Sequence, residues 1–259
     1  MTPLASPVHR IVLVRTIQAS LLAGLLHGAL RWPLTGPCAL GLFFTPTLCL
    51  YFVFVFVAPW TWGLPILARL PGRARAVALT FDDGPSPETT PAILDALARA
   101  RVRATFFVLG EVVERHPDLL RRIVTAGHDI GIHGFGHEPF VLLSWGRVGE
   151  EITRTRAAVR GACPEAADLI WMRPPHGFKT LALPFVARRA GCRMVAWLVN
   201  ARDYRSDDAD TITRAVLQAA RPGAIILLHD GPCNAATAAA LPRILDGLRA
   251  DGYRCALLD

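Results

Sequence analysis

Residues 1–75 contain no aspartate or glutamate, against six arginines: Arg10, Arg15, Arg31, Arg69, Arg73 and Arg75. The formal charge of +7 is therefore concentrated there, because residues 76–259 carry 22 basic and 21 acidic side chains. A basic stripe on the folded part is absent, which argues against nucleic acid as a partner. The uncompensated arginines sit beside apolar segments and suit an anionic membrane surface. The six cysteines include no C-x-x-C pair, so their spacing defines no disulfide framework. A Cys163–Cys192 bridge stays open, beside the reading of buried free thiols. Repeats and low-complexity tracts are also missing. What is abundant is apolar sequence, at 52% of a 259-residue chain, enough for one sizeable domain and an appendage.

The appendage is N-terminal. Cys38–Ala58 is an uncharged run of 21 residues, sufficient as a helix to cross roughly 30 Å of hydrocarbon. Trp32 precedes it and Trp60 and Trp62 follow it, as interfacial aromatics do. Ile11–Leu30 is interrupted by Arg15, Gln18 and His27, and reads as a second span, an interfacial helix or part of a signal anchor. A cleavable signal peptide does not fit, because the long apolar run lies too far from the N-terminus. Residues 1–60 are thus read as a membrane anchor of one or two helices, 61–75 as a linker, and 76–259 as the folded domain. Two spans favour a cytoplasmic domain; one span leaves nearly balanced flanks and allows it to face outward.

From Ala76 onward strand-like and helix-like stretches alternate. Strands are expected over Ala76–Phe81, Ala104–Leu109, Asp129–His133, Leu169–Met172, Met194–Val199, Ala224–Leu228 and Arg254–Leu258. Helices are expected over Pro87–Ala100 (capped by Ser86), Pro117–Ala126, Trp145–Arg160, Leu181–Ala190, Ala209–Ala220 and Ala235–Ala250. This alternation predicts an α/β fold, a deformed or incomplete (β/α) barrel of about seven parallel strands preceded by a transmembrane segment. Reactive residues of such folds lie at the C-terminal strand ends.

Four short islands fall at those ends: Thr80-Phe81-Asp82-Asp83-Gly84-Pro85, His133-Gly134-Phe135-Gly136-His137, Arg173-Pro174-Pro175-His176-Gly177 and Leu227-Leu228-His229-Asp230. Asp82 and Asp83 are neighbours that on an extended chain point opposite ways, so one can bind a cation while the other handles a proton. His133 and His137 are four apart, and their intervening glycines favour a tight loop over a helix. With Asp83 they form a two-histidine, one-carboxylate set suited to zinc, with cobalt, manganese, nickel or iron as alternatives. Arg173 cannot act as a base but can orient a carboxylate. Singly, each island also reads as ordinary structure: a turn, an incidental histidine pair, a corner, a satisfied histidine.

Together they resemble the polysaccharide deacetylase family with the NodB homology domain, also called carbohydrate esterase family 4, over about residues 76–259. The resemblance implies Asp82 as general base, Asp83, His133 and His137 as metal ligands, and Arg173 as the residue orienting the base. It implies His229 as general acid and Asp203, within Asn200-Ala201-Arg202-Asp203-Tyr204, as the acid that keeps it charged. Pro175, His176, Tyr204 and Leu227 fall at substrate-binding positions. The sequence departs from the family pattern at Gly134 (commonly Ser or Thr), His176 (commonly Tyr or Phe), Asn200 (often Asp) and Tyr204 (often Trp). The activity so implied is metal-dependent removal of N-acyl groups from amino sugars of a glycan, at a bacterial inner membrane. Alternatives are a deacetylase or deformylase of a lipid-carrier-linked amino sugar, and a glycan-binding protein that has lost its chemistry.

Overall fold

The computed structural model describes residues 64–258 except 73–74, 167, 179 and 181, so the expected membrane segments Ile11–Leu30 and Cys38–Ala58 lie outside the described residues. Among the described residues no helix is long and apolar enough to cross a membrane.

The strands are β1 (Ile66–Leu67), β2 (Ala76–Asp82), β3 (Thr105–Val108), β4 (Asp129–Ile132), β5 (Trp171–Met172), β6 (Arg193–Val195), β7 (Val199–Asn200), β8 (Ile225–His229) and β9 (Arg254–Cys255). The helices between them are α1 (Thr90–Ala100), α2 (Gly110–Arg115), α3 (Pro117–Thr125), α4 (Trp145–Ala162), α5 (Leu183–Arg189), α6 (Ala209–Ala219) and α7 (Ala235–Ala250). The strands form one sheet in the order β1-β6-β5-β4-β3-β2-β8-β7, with β9 on β2. All the strand pairings are parallel.

The expected single strand Met194–Val199 is two strands near opposite ends of that order. Ala196–Leu198 carries the chain between them: Ala196 N–H donates to Leu67 O (2.8 Å) and Leu198 N–H to Ile225 O (3.0 Å). This crossing closes the curled sheet. Part of the stretch read as linker joins it, since β1 pairs with β6, Arg69 bridges antiparallel to Ala224, and Leu70 N–H donates to Gly223 O at 2.9 Å. The barrel therefore begins before Ala76.

Strand parity makes two cores. Val77, Leu79 and Phe81 of β2, with Ile226 and Leu228 of β8, join the main cluster that includes Ile93 and Leu97 of α1 and Leu241 and Ile244 of α7. Ala78 and Ile225, from the alternate positions, join a smaller cluster with Phe107, Trp171 and Val195 inside the curl. Asp82 shares the parity of Ala78 and Thr80, so it belongs to the interior set. Cys163 and Cys192 are buried free thiols, and no bridge joins them.

Two local features differ from expectation. Ser86 does not cap α1, which starts at Thr90 after Thr89. Ser86 Oγ instead donates to the Glu88 carboxylate and accepts from Glu88 N–H (3.2 Å), while Thr89 Oγ1 donates to Asp230 O (2.6 Å) and Thr90 Oγ1 to Asp230 Oδ2 (2.7 Å). The other is α2, a short helix the sequence reading left out.

Candidate active site

β2 ends at Asp82, β8 at His229, and β4 and β5 stop just before His133 and Arg173. Parallel strands bring all four to one end of the barrel. Asp82 and His229 are register partners on adjacent strands, which puts their side chains on the same side of the sheet.

The opposite-pointing arrangement expected of Asp82 and Asp83 is not what forms. The chain leaves the strand at Asp83 with φ 75°, a left-handed conformation that aspartate tolerates better than most residues. Both carboxylates consequently approach His133 Nε2, Asp83 Oδ1 at 3.3 Å and Asp82 Oδ2 at 3.8 Å. His137 Nε2 lies 3.1 Å from the same Asp83 oxygen.

His133 Nδ1 is 2.9 Å from the main-chain carbonyl of Arg173. A carbonyl only accepts, so Nδ1 carries a proton and Nε2 is the nitrogen turned toward Asp83, able to ligate when the ring is neutral. Asp83 Oδ1 and His137 Nε2 are buried without a hydrogen-bond partner. One ligand atom from each of Asp83, His133 and His137 lies within 4.8 Å of the others. Lone pairs facing one another in a partly buried pocket are what a cation satisfies, so these residues fit a divalent metal. Burial opposes the Asp83 charge, yet the surrounding His133, His137 and His229 hold its carboxyl well below the usual range.

Arg173 is fully buried. Its Nη1 donates to Asp82 Oδ1 (2.7 Å) and Thr80 Oγ1 (2.9 Å), and its guanidinium lies 4.3 Å from the centre of the Phe107 ring. Asp82 is thus held from behind by one fixed donor, with Oδ2 turned toward the histidine pair. Across the site, Asp203 grips His229 twice, through His229 Nδ1 and its main-chain N–H, both at 2.8 Å. Thr237 Oγ1 donates to Asp203 Oδ2 at 2.8 Å. Burial opposes charge on His229, but the Asp203 hydrogen bond and charge, with Asp82 and Asp83, raise its pKa to about 9. Nδ1 being spoken for, Nε2 is the nitrogen left to meet a substrate.

The expected substrate-side residues gather at the same place. The His176 ring lies 4.4 Å from that of His137, tilted by 58°, and His176 takes a left-handed φ of 59°. Half-exposed Tyr204 meets the His229 ring edge-on at 5.3 Å. Leu227 is buried two residues before His229, hence on the same face of β8. A Cβ on Gly134 would lie 3.4 Å from Pro175 Cγ and 3.2 Å from the Phe140 ring, at φ 100°. This loop therefore takes glycine where the family pattern has a hydroxyl residue.

Two acids to which the sequence assigns no role complete the site. Glu151, buried on α4, accepts from Phe135 N–H (2.7 Å) and Gly136 N–H (3.1 Å) and so pins the loop between the two histidines. An acid on the apolar face of an amphipathic helix was the available signal. Asp230 packs directly on Gly84, where any Cβ would fall 2.1 Å from its Oδ2. Burial, with the charges of Asp83 and Asp82, pushes its carboxyl up to about 7 despite the Thr90 hydrogen bond.

Comparison with known proteins agrees with this geometry. The polysaccharide deacetylase family model matches residues 69–195. A chitooligosaccharide deacetylase of Bradyrhizobium sp. (strain ANU 289) is 43% identical over 157 residues, covering 61% of this chain and 71% of that protein. The chain belongs to the polysaccharide deacetylase family. As a carbohydrate esterase family 4 member it is a hydrolase of non-peptide carbon–nitrogen bonds. The peptidoglycan-N-acetylglucosamine deacetylase PgdA of Listeria monocytogenes is 37% identical over 204 residues, 76% of this chain but 42% of that longer protein. Among solved structures, the Bc1960 peptidoglycan N-acetylglucosamine deacetylase superposes with a TM-score of 0.73 at 33% identity, covering 78% of this chain and 95% of the other.

Proposed function

We propose that this family member is a membrane-anchored, metal-dependent deacetylase that removes acetyl groups from N-acetylglucosamine units of a glycan. The observation that carries the reading is the pairing of an intact Asp83–His133–His137 ligand set with Asp82 and His229 on adjacent strands. The names of the relatives supply the substrate class, and the uncharged run Cys38–Ala58 supplies the anchor.

Asp83, His133 and His137 would hold a divalent ion, zinc being the first choice for these donors, and it would supply Lewis-acid polarisation of the acyl carbonyl and acidify water. Asp82, aligned by Arg173, takes a proton from the attacking water. The main-chain N–H of His176 is assigned by the family resemblance as donor to the developing oxyanion; one such donor is typically worth about 10²–10³ in rate. His229, charged through Asp203, protonates the departing nitrogen, which without that proton is a poor leaving group. Leu227 and Tyr204 wall the small space for the acetyl methyl. Water adds across the amide, and acetate and a free amine leave.

The test is acetate release by metal-loaded full-length protein from N-acetylglucosamine oligomers and from peptidoglycan. Release from either supports the reading. Failure on both, with metal bound stoichiometrically, rejects it.

A further inference from the structure

The strands share one polarity, so every loop that leads into a strand lies at the barrel end opposite the site. β1 runs parallel to β6, and the chain therefore enters the folded domain at that opposite end. Exposed arginines collect there: Arg75 just before β2, Arg101 and Arg103 before β3, Arg221 before β8, and Arg193 and Arg254 as the first residues of β6 and β9. The acids in those positions are Asp129, Glu165, Asp168 and Asp251. The site end has the reverse bias. Among the described residues its loops carry the exposed acids Glu88, Glu138, Asp207 and Asp208, besides the metal-binding Asp83, against the exposed Arg202 and Arg205. The near-zero net charge of the domain thus conceals an axial separation of charge.

The connection to the apolar run is short. Five residues, Pro59–Gly63, separate Ala58 from Leu64, which when fully extended reach roughly 21 Å at most. A domain of this size is roughly 40 Å across. Such a tether holds the entry end at the bilayer and leaves the site end out of reach of it. Attraction between arginines and an anionic leaflet acts within a Debye length, about 8–10 Å, and so favours the same pose.

We propose that the arginine-bearing end of the barrel is apposed to an anionic lipid surface, with the active-site mouth opening away from the bilayer. The proposal rests on the deacetylase and membrane-anchor readings above, and it narrows the substrate. The mouth receives a glycan strand or oligosaccharide from the aqueous side, and excludes an amino sugar held by a carrier lipid in the enzyme's own membrane.

The test uses the full chain in vesicles of phosphatidylcholine with phosphatidylglycerol. A photo-crosslinking residue is encoded as Arg103→p-benzoylphenylalanine or, at the site end, Asp207→p-benzoylphenylalanine; both positions are exposed. Lipid adducts at least about tenfold more abundant from position 103 are expected. Equal or reversed labelling overturns the orientation. In parallel, acetate release is compared between chitooligosaccharide in solution and a polyprenyl-linked N-acetylglucosamine in the same vesicles, with the soluble glycan expected to be preferred at least about tenfold. Preference for the lipid-linked sugar overturns the proposal. Crosslinking needs no turnover, so an inactive chain labelled at position 103 rejects the deacetylase reading and supports the orientation. A chain washed from the vesicles by carbonate rejects the anchor and the orientation with it.

Discussion

Arg173 donates to Asp82 across 2.7 Å with both side chains closed off from solvent. The carboxylate therefore has one oxygen committed to the scaffold and one available for a proton. Asp82→Asn keeps the shape and loses the base. Turnover is expected to fall by about 10²–10⁴ while bound metal, read by elemental analysis, stays at the wild-type level.

The Asp203–His229 pair sets the alkaline side of the pH profile. With its pKa raised to about 9, His229 stays charged through neutrality and the rate should decline as pH rises through about 9. The stability this pair contributes has the same sign. It is fully present below the ordinary histidine value of 6.5 and is lost as pH climbs through the raised one. Asp203→Asn should draw the alkaline limb toward neutrality, measured as kcat/KM against pH.

Asp230 behaves in the opposite sense. Its carboxyl is raised from 3.8 to about 7, so the folded state retains a proton the unfolded chain releases, and stability falls as pH rises across that interval. Asp230→Asn removes the titrating charge while keeping an oxygen for Thr90. Thermal melts should show the variant matching wild type near pH 4 and exceeding it near pH 8, by an amount of about 1–3 kcal/mol.

Glu151 holds the metal-bearing loop through two main-chain N–H groups. Glu151→Ala leaves both donors without their acceptor and should weaken metal affinity by about 10–100-fold, the usual range for residues behind the ligands. Glu151→Gln retains one acceptor oxygen and should recover most of that loss. Competition with a chromogenic chelator reads the difference without relying on turnover.

Much of this site was legible because strand ends are marked in sequence by a change from apolar runs to Gly, Pro and charged residues. The Asp82, His133, Arg173 and His229 positions follow from that alone, and the family resemblance assigned their roles. Other features leave little trace. The left-handed φ of Asp83 decides that both carboxylates face His133, yet nothing in Asp-Asp-Gly-Pro specifies it. Ala196–Leu198 has no turn residue, so the apolar run 194–199 reads as one strand even though it crosses from β6, next to one sheet edge, to β7 at the other. Ser86 looked like a cap because a hydroxyl before a helical stretch usually is one. Its hydroxyl instead pairs with Glu88, and the helix starts after Thr89 without a side-chain cap.

The segment from Leu64 to Leu70 acts as a strap over the barrel seam, through β1 on β6 and Arg69 on Ala224. A fragment cut to start at Ala76 would strip β6 of its outer neighbour and unlatch the start of β8, the strand that carries His229 at its other end. Shedding an intact enzyme, whether by a protease in the cell or by a cloning boundary, therefore requires a break upstream of Leu64, in the few residues that follow the greasy run.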